Sequence, residues 1–170
     1  MLYLSLGKRF TNILENLNFR IVLVEPEIPQ NTGNIGRTCV ATNSELHLVG
    51  KLGFEISDKN LKRAGLDYWV HLKWFHHHTM EDWHRHVEDH SRVFYYSAFA
   101  KKEYTRIRYE KGDWLVFGKE TKGLDPEILQ KNQDRSLLIP LLGPARGLNL
   151  ATAVAVVAYE GVRQICGELL

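Results

Sequence analysis

Short apolar runs alternate with amphipathic stretches along most of the chain, beginning near residue 19. Ile21-Val22-Leu23-Val24 is a continuous aliphatic run, the pattern of a strand buried on both faces. It stops at Glu25-Pro26-Glu27-Ile28-Pro29, where two prolines enforce a loop. The spacing then predicts a helix from near Thr32 to Thr42, with Ile35, Cys39 and Val40 inward and Asn31 available as its cap. Leu46 to Val49 reads as the next strand, and Asp58 is placed to cap a short helix that ends at Gly65. Tyr68 to His71 reads as extended. Thr79 is expected to cap a helix running to about Glu88, with Glu81 and Asp82 near its positive end.

Strands are predicted at Val93 to Ser97, Trp114 to Phe117 and Leu137 to Leu141, with a short helix near Pro126 to Gln130. The last element has the clearest period: Ala151, Val154, Ala155, Ala158 and Val162 recur at helical spacing, with Gly167 as a stop. Its small-residue face permits close approach of another helix, either within the chain or from a second copy. Strands alternating with helices predict an α/β fold, a mostly parallel sheet covered by helices on both faces. Phe10, Ile13, Leu14 and Leu17 form one apolar stripe, so residues 1–18 are read as an N-terminal extension to a single domain spanning 19–170.

With 170 residues, 44% apolar and 25% charged, the chain suits one domain with one core and excludes disorder over most of its length. Cys39 and Cys166 lack any Cys-x-x-Cys spacing, and read as buried thiols of a reducing compartment. No apolar run approaches the roughly 20 residues of a membrane span. The apolar start, Met1 to Leu6, is too short for a secretory segment and no basic residue precedes it, which leaves a cytoplasmic expectation. A net charge of only +2 means that any nucleic acid must be met by local patches.

Three segments put glycines and polar side chains at strand ends, where open α/β sheets form their ligand crevice. The first is Asn31-Thr32-Gly33-Asn34-Ile35-Gly36-Arg37, with Arg37 about one turn into the helix, where a guanidinium can clamp a phosphate. In the second, Phe117-Gly118-Lys119-Glu120-Thr121-Lys122-Gly123-Leu124, Gly118 offers uncovered backbone to a flat adenosine and Glu120 can orient a partner. It is neither Gly-x-Gly-x-x-Gly nor a phosphate loop, which argues against a dinucleotide-dependent oxidoreductase. The third runs from Ile139 through Leu141, Gly147 and Leu148 to Asn149, the natural N-cap of the last helix.

In this order the three segments resemble the motifs of the SPOUT methyltransferases. They are most similar to the small single-domain family that 2'-O-methylates the wobble nucleotide of tRNA, cytidine or modified uridine. Its opening Glu-Pro-Glu-Ile-Pro-x-Asn-Thr-Gly-Asn-Ile-x-Arg is matched from Glu25 to Arg37, its Arg-Arg-Ala-Gly-Leu-Asp-Tyr through Tyr68 with Lys62 for the first Arg, and its Phe-Gly-x-Glu-Thr-x-Gly-Leu from Phe117 to Leu124. The resemblance implies a C-terminal trefoil knot, which general topology rules alone would reject. It implies S-adenosyl-L-methionine as cofactor, contacted at Tyr96, Gly118, Ile139 and Gly147 with Leu141 and Leu148 beside it. Catalytic or RNA-positioning roles fall on Asn31, Arg37, Glu120 and Asn149. The partners implied are the anticodon loop of tRNA and a second copy, in a homodimer whose composite site sets Arg37 toward the other chain's cofactor.

This sequence departs from the family where its third motif has Gly147 and Ala151 instead of serines, and where residues Tyr95 to Lys102 replace a Thr-rich strand end. The alternatives are a related enzyme acting on another tRNA or rRNA ribose, and a non-catalytic RNA-binding relative. RNA contact is expected at Lys51, Lys59, Lys62 and Arg63, and at Lys101, Lys102, Arg106 and Arg108. Seven of eight histidines lie between His71 and His90, but without His-Glu-x-x-His or a nearby cysteine they read as surface histidines and not a metal site. Trp69, Trp74, Phe75 and Trp83 read as core or dimer-face aromatics.

Overall fold

The computed structural model describes residues 19–55 and 68–167. The apolar stripe of residues 1–18 and the helix capped by Asp58 lie outside them. In chain order the strands are β1 (Phe19–Val24), β2 (Glu45–Val49), β3 (Trp74–His77), β4 (Val93–Tyr96), β5 (Lys102–Glu103), β6 (Asp113–Phe117) and β7 (Ser136–Leu138). The α-helices are α1 (Pro29–Ala41), α2 (Met80–His84), α3 (Pro126–Lys131) and α4 (Leu150–Gly167). The sheet order is β3-β2-β1-β6-β4-β7-β5, and every pairing is parallel.

The aliphatic run in β1 explains why helices cover both faces. Phe19, Ile21 and Leu23 point to one side, where they join Ile35 and Cys39 of α1 and Val154 and Val157 of α4. Val22 points to the other, against a cluster containing Trp83 of α2 and flanked by Ile128 and Leu129 of α3. The small-residue face of α4 serves packing within the chain: a Cβ at Gly161 would lie 2.4 Å from the Phe19 ring. Cys39 is fully buried, which pushes its thiol pKa up and keeps it inert, whereas Cys166 is half-buried.

Several expected elements are corrected. The first helix begins at Pro29, three residues early, because proline at N1 is already set for helical φ and has no N–H to lose. Ile28 is therefore the N-cap residue, and Asn31 sits inside the first turn. Tyr68 to His71 is not extended: Trp69–His71 is a 3-10 turn, anchored by the Tyr68 hydroxyl donating to the Gly33 carbonyl. The strand lies instead at Trp74–His77, in a histidine run whose polarity hides it from an apolar pattern. Thr79 does cap α2, accepting from the Asp82 amide, but that helix stops at His84. β7 ends at Leu138, short of Pro140.

The histidines are not all on the surface. His47 and His77 are 4% and 5% exposed, and their rings are joined by an Nδ1–Nε2 hydrogen bond of 2.9 Å across β2 and β3. That bond needs one ring to donate and the other to accept, so it does not survive protonation of both. Burial first, then the neighbouring His77, Arg20 and His86, push the His47 pKa down to about 3. His77 is lowered by burial and by His86 and His76.

Between pH 6.5 and 3 the unfolded chain thus binds more protons at His47 than the folded chain does. The stability contributed is complete above 6.5 and is lost as pH falls. Acidification from pH 7 to 5 is expected to cost about 2 kcal/mol through His47, at roughly 1.4 kcal/mol per pH unit below 6.5. Thermal melts across this range should show the decline, and His47→Gln should flatten it. An unchanged slope in the variant would remove His47 from the account.

Candidate active site at the strand ends

The carboxyl ends of β4, β6 and β7, the first turn of α1 and the start of α4 enclose a cleft of about 710 Å³. Nine of the ten residues expected from the sequence line it. Asn31, Glu120 and Asn149 supply polar groups; Tyr96 and Gly118 supply strand ends; Ile139, Leu141, Gly147 and Leu148 come from the loop before α4. The tenth, Arg37, is outside the cleft. It is exposed, and its guanidinium lies 4.5 Å from the centre of the Tyr68 ring.

Three of the polar residues form one hydrogen-bonded relay. The Glu120 carboxylate accepts from the Glu27 amide (2.8 Å), the Ile28 amide (3.2 Å) and Asn31 Nδ2 (3.0 Å). Asn31 Oδ1 accepts from Asn149 Nδ2 at 2.9 Å, and Asn149 Oδ1 accepts from the Ala151 amide at 2.9 Å. The direction of every bond is dictated by the ends. A carboxylate has no proton to give, so the Asn31 NH2 must face Glu120, which turns its oxygen toward Asn149. The Asn149 NH2 is then committed to Asn31, leaving its oxygen for the orphan amides of α4.

The relay resolves two expectations. Asn149 is the N-cap as predicted, and because it serves the Ala151 amide, the missing hydroxyl at 151 leaves the helix start satisfied. Asn31 is no cap; its side-chain amide and the Glu27 and Ile28 backbone amides just before α1 are held instead by Glu120, 89 residues from Asn31. Two further contacts bind the same loops: the Glu27 carboxylate accepts from the amide and hydroxyl of Thr121, and Lys119 pairs with Glu25. The sequence reading missed this second layer, since no local pattern marks an acid whose partner is 94 residues on.

Gly118 also has a structural reason that the sequence did not show. A Cβ there would lie 2.0 Å from the Gly123 carbonyl carbon, so the glycine accommodates the loop's own return, closed by the Lys119–Gly123 bridge. At Gly147 nothing lies within 4 Å, so that position opens into the cleft. The Tyr96 side chain turns away from the opening. Its ring stacks on Phe117 at 4.6 Å and its hydroxyl bonds that of Tyr109 at 3.1 Å, so it presents backbone. Ile139 packs on the core, while Leu141 and Leu148 stay partly exposed.

Of the basic residues expected to meet RNA, Lys51, Lys101, Lys102 and Arg108 are exposed, and Arg106 pairs with Glu103. Lys59, Lys62 and Arg63 lie outside the described residues. Trp83 is fully buried and Trp69 and Trp74 pack against the core, as expected of core aromatics, but Phe75 is half exposed.

A parallel sheet whose cleft is walled by the start of α1, the loop from Gly118 to Gly123 and the Gly147 loop before α4, in this order, defines a class. Residues 18–159 match the SpoU rRNA Methylase family, and the chain belongs to that family. It is 44% identical over 150 residues to the tRNA (cytidine(34)-2'-O)-methyltransferase of Saccharophagus degradans, covering 86% of this chain and 96% of that one. A structure solved for insight into 2-OH methylation of C/U34 on tRNA superposes with a TM-score of 0.83 at 44% identity, over 89% of this chain and 98% of the other. An AdoMet-bound rRNA methyltransferase from Sinorhizobium meliloti superposes with a TM-score of 0.75 at 26% identity, over 87% of this chain and 57% of the other.

Proposed function

We propose that the chain transfers a methyl group from S-adenosyl-L-methionine to the ribose 2'-hydroxyl of the wobble nucleotide of tRNA. The relay that joins all three loops around one cleft supports this reading most directly. The cleft suits the cofactor: its volume is within the ordinary range for small-molecule sites, its walls include Ile139, Leu141 and Leu148, and the open position at Gly147 leaves backbone free to read an adenine edge. Gly118, Ile139 and Gly147 would hold it, with Leu141, Leu148 and the backbone of Tyr96 adjoining. Its sulfonium supplies an activated methyl group.

The chain's own contribution is orientation. Glu120, Asn31 and Asn149 are linked by hydrogen bonds to one another and to backbone amides before α1 and at the start of α4, so they act by holding the three loops in register. A guanidinium keeps its proton near neutrality and is a poor base there. Arg37 is therefore assigned a clamp on the hydroxyl or a neighbouring phosphate. Arg37 lies outside the cleft of its own chain, which is compatible with the composite site of a homodimer, and we assign it to the site of a second copy. The same reading carries the C-terminal trefoil knot, a methyltransferase domain at 19–170 with residues 1–18 as an extension, and a cytoplasmic setting. Among the described residues no helix is long and apolar enough to cross a membrane.

Incubation with labelled methyl donor and total tRNA lacking the modification, followed by mapping, tests the reaction. Label on a wobble ribose is expected; label on a base, or no cofactor binding in calorimetry at millimolar concentration, would refute it. Arg37→Lys should lose the two-pronged geometry and roughly tenfold or more of turnover with the fold intact. Near-normal turnover in that variant would remove the clamp.

A further inference from the structure

Beyond β4 the chain makes a tight turn in which the Phe99 amide donates to Ser97 Oγ and the Ala100 amide to the Ser97 carbonyl, both at 3.2 Å. The turn holds Phe99 on the rim of the cleft with 86% of its surface exposed. A single exposed apolar side chain is ordinary. Here, however, the ring shares its rim with cations. Exposed Lys101 and Lys102 come two and three residues after it, and Lys122 and Arg146 are exposed on the lining of the same cleft. Among the described residues none of these four pairs with a carboxylate. The acids carried by the adjoining loops are already engaged: Glu25 with Lys119, Glu27 with Thr121, Glu120 with α1, Glu103 with Arg106.

We infer that Phe99 is a base-stacking contact for RNA at the mouth of the cleft, with Lys101, Lys102, Lys122 and Arg146 holding the phosphates around it. An exposed flat ring on a hydrogen-bonded turn, on a rim that carries cations without carboxylate partners, matches a strand of planar bases on an anionic backbone. It matches a second copy of the same patch poorly, because a two-fold contact here would set like charges against each other. The ring is sequence-tolerant, since every base has a π-face, so Phe99 governs affinity and the placing of the nucleotide without selecting the base. The inference rests on the proposed RNA substrate and assigns it a residue.

The test uses the full chain and a 17-nucleotide stem-loop RNA carrying an anticodon loop. RNA affinity is read by fluorescence anisotropy, cofactor affinity by calorimetry and oligomeric state by sedimentation velocity. Phe99→Ala is expected to weaken RNA binding by roughly tenfold, leaving cofactor affinity and sedimentation unchanged, while Phe99→Trp restores binding. An abasic site at the stacked nucleotide should erase the difference between wild type and Phe99→Ala. Equal RNA affinity in Phe99→Ala would overturn the inference and leave the proposed reaction standing. A loss accompanied by a changed oligomeric state would assign the ring to a contact between copies. Wild-type protein that binds no RNA would overturn both.

Discussion

Gly118→Ala is expected to lose measurable cofactor binding and to melt well below the wild type. The added methyl would lie 2.0 Å from the Gly123 carbonyl carbon, 2.2 Å from the Leu124 nitrogen and 2.3 Å from the Gly123 oxygen. All three are backbone atoms, so no side chain can swing aside. The opposing segment is itself fixed, since the Gly123 amide donates to the Lys119 carbonyl at 2.8 Å and Gly123 holds a φ of +69° that favours glycine. Overpacking of this kind costs about 3 kcal/mol or more. For a chain of this length that is a fall of roughly 6–12 °C in Tm. Gly147→Ala is the control: its methyl meets nothing within 4 Å and should leave Tm unchanged. A Gly118→Ala protein with wild-type melting and cofactor affinity would show that the loop can reclose around a side chain.

Glu120→Ala carries the second large effect. It strands two backbone amides and the Asn31 NH2, of which the carboxylate is the acceptor. Loss of charge-assisted bonds at a partly buried site costs about 1.5–3 kcal/mol. Catalysis should suffer more, because freeing Asn31 also frees Asn149 and lets the loops drift; a displacement near 1 Å can cost about a hundredfold in rate. Glu120→Gln keeps one acceptor oxygen but turns an NH2 toward a donor, so it should fall between. Melting and single-turnover methyl transfer separate the two consequences. If Glu120→Ala and Asn149→Ala proved fully additive in a double-mutant cycle, the relay would not act as a unit.

The parts legible in the sequence are those with local causes. β1, β2, β4 and β6 were readable because buried parallel strands are written as aliphatic or aromatic runs, and α4 because its small and branched residues repeat at helical spacing. The convergence of the three loops was legible from their order and from the rule that crevices form at strand ends. What escaped depended on distant partners. Nothing near Asn31 says that its amide answers to Glu120, and a cap was the natural local reading. β3 escaped because His77 looks like a solvent-facing residue until β2 supplies the His47 ring beside it. Gly118 stood out as a glycine at a strand end, but the atoms that exclude a side chain there belong to Gly123 and Leu124 after the loop returns. Phe99 carried no periodic signal, because an exposed aromatic in a turn looks like any loop residue.

The bond between Asn149 and Asn31 spans 118 positions in the chain, which has a consequence for the order of events in biosynthesis. On a ribosome, the strands from β1 to β6 can begin pairing while the loop before α4 is still unmade. The site cannot. Its last wall and the donor that orients Asn31 arrive only after translation has passed Asn149, and long-range parallel pairing is slow to form. A nascent chain arrested before that point would carry much of the sheet and no competent cleft, so methyl-transfer capacity should appear late and abruptly in a series of progressively longer tethered chains.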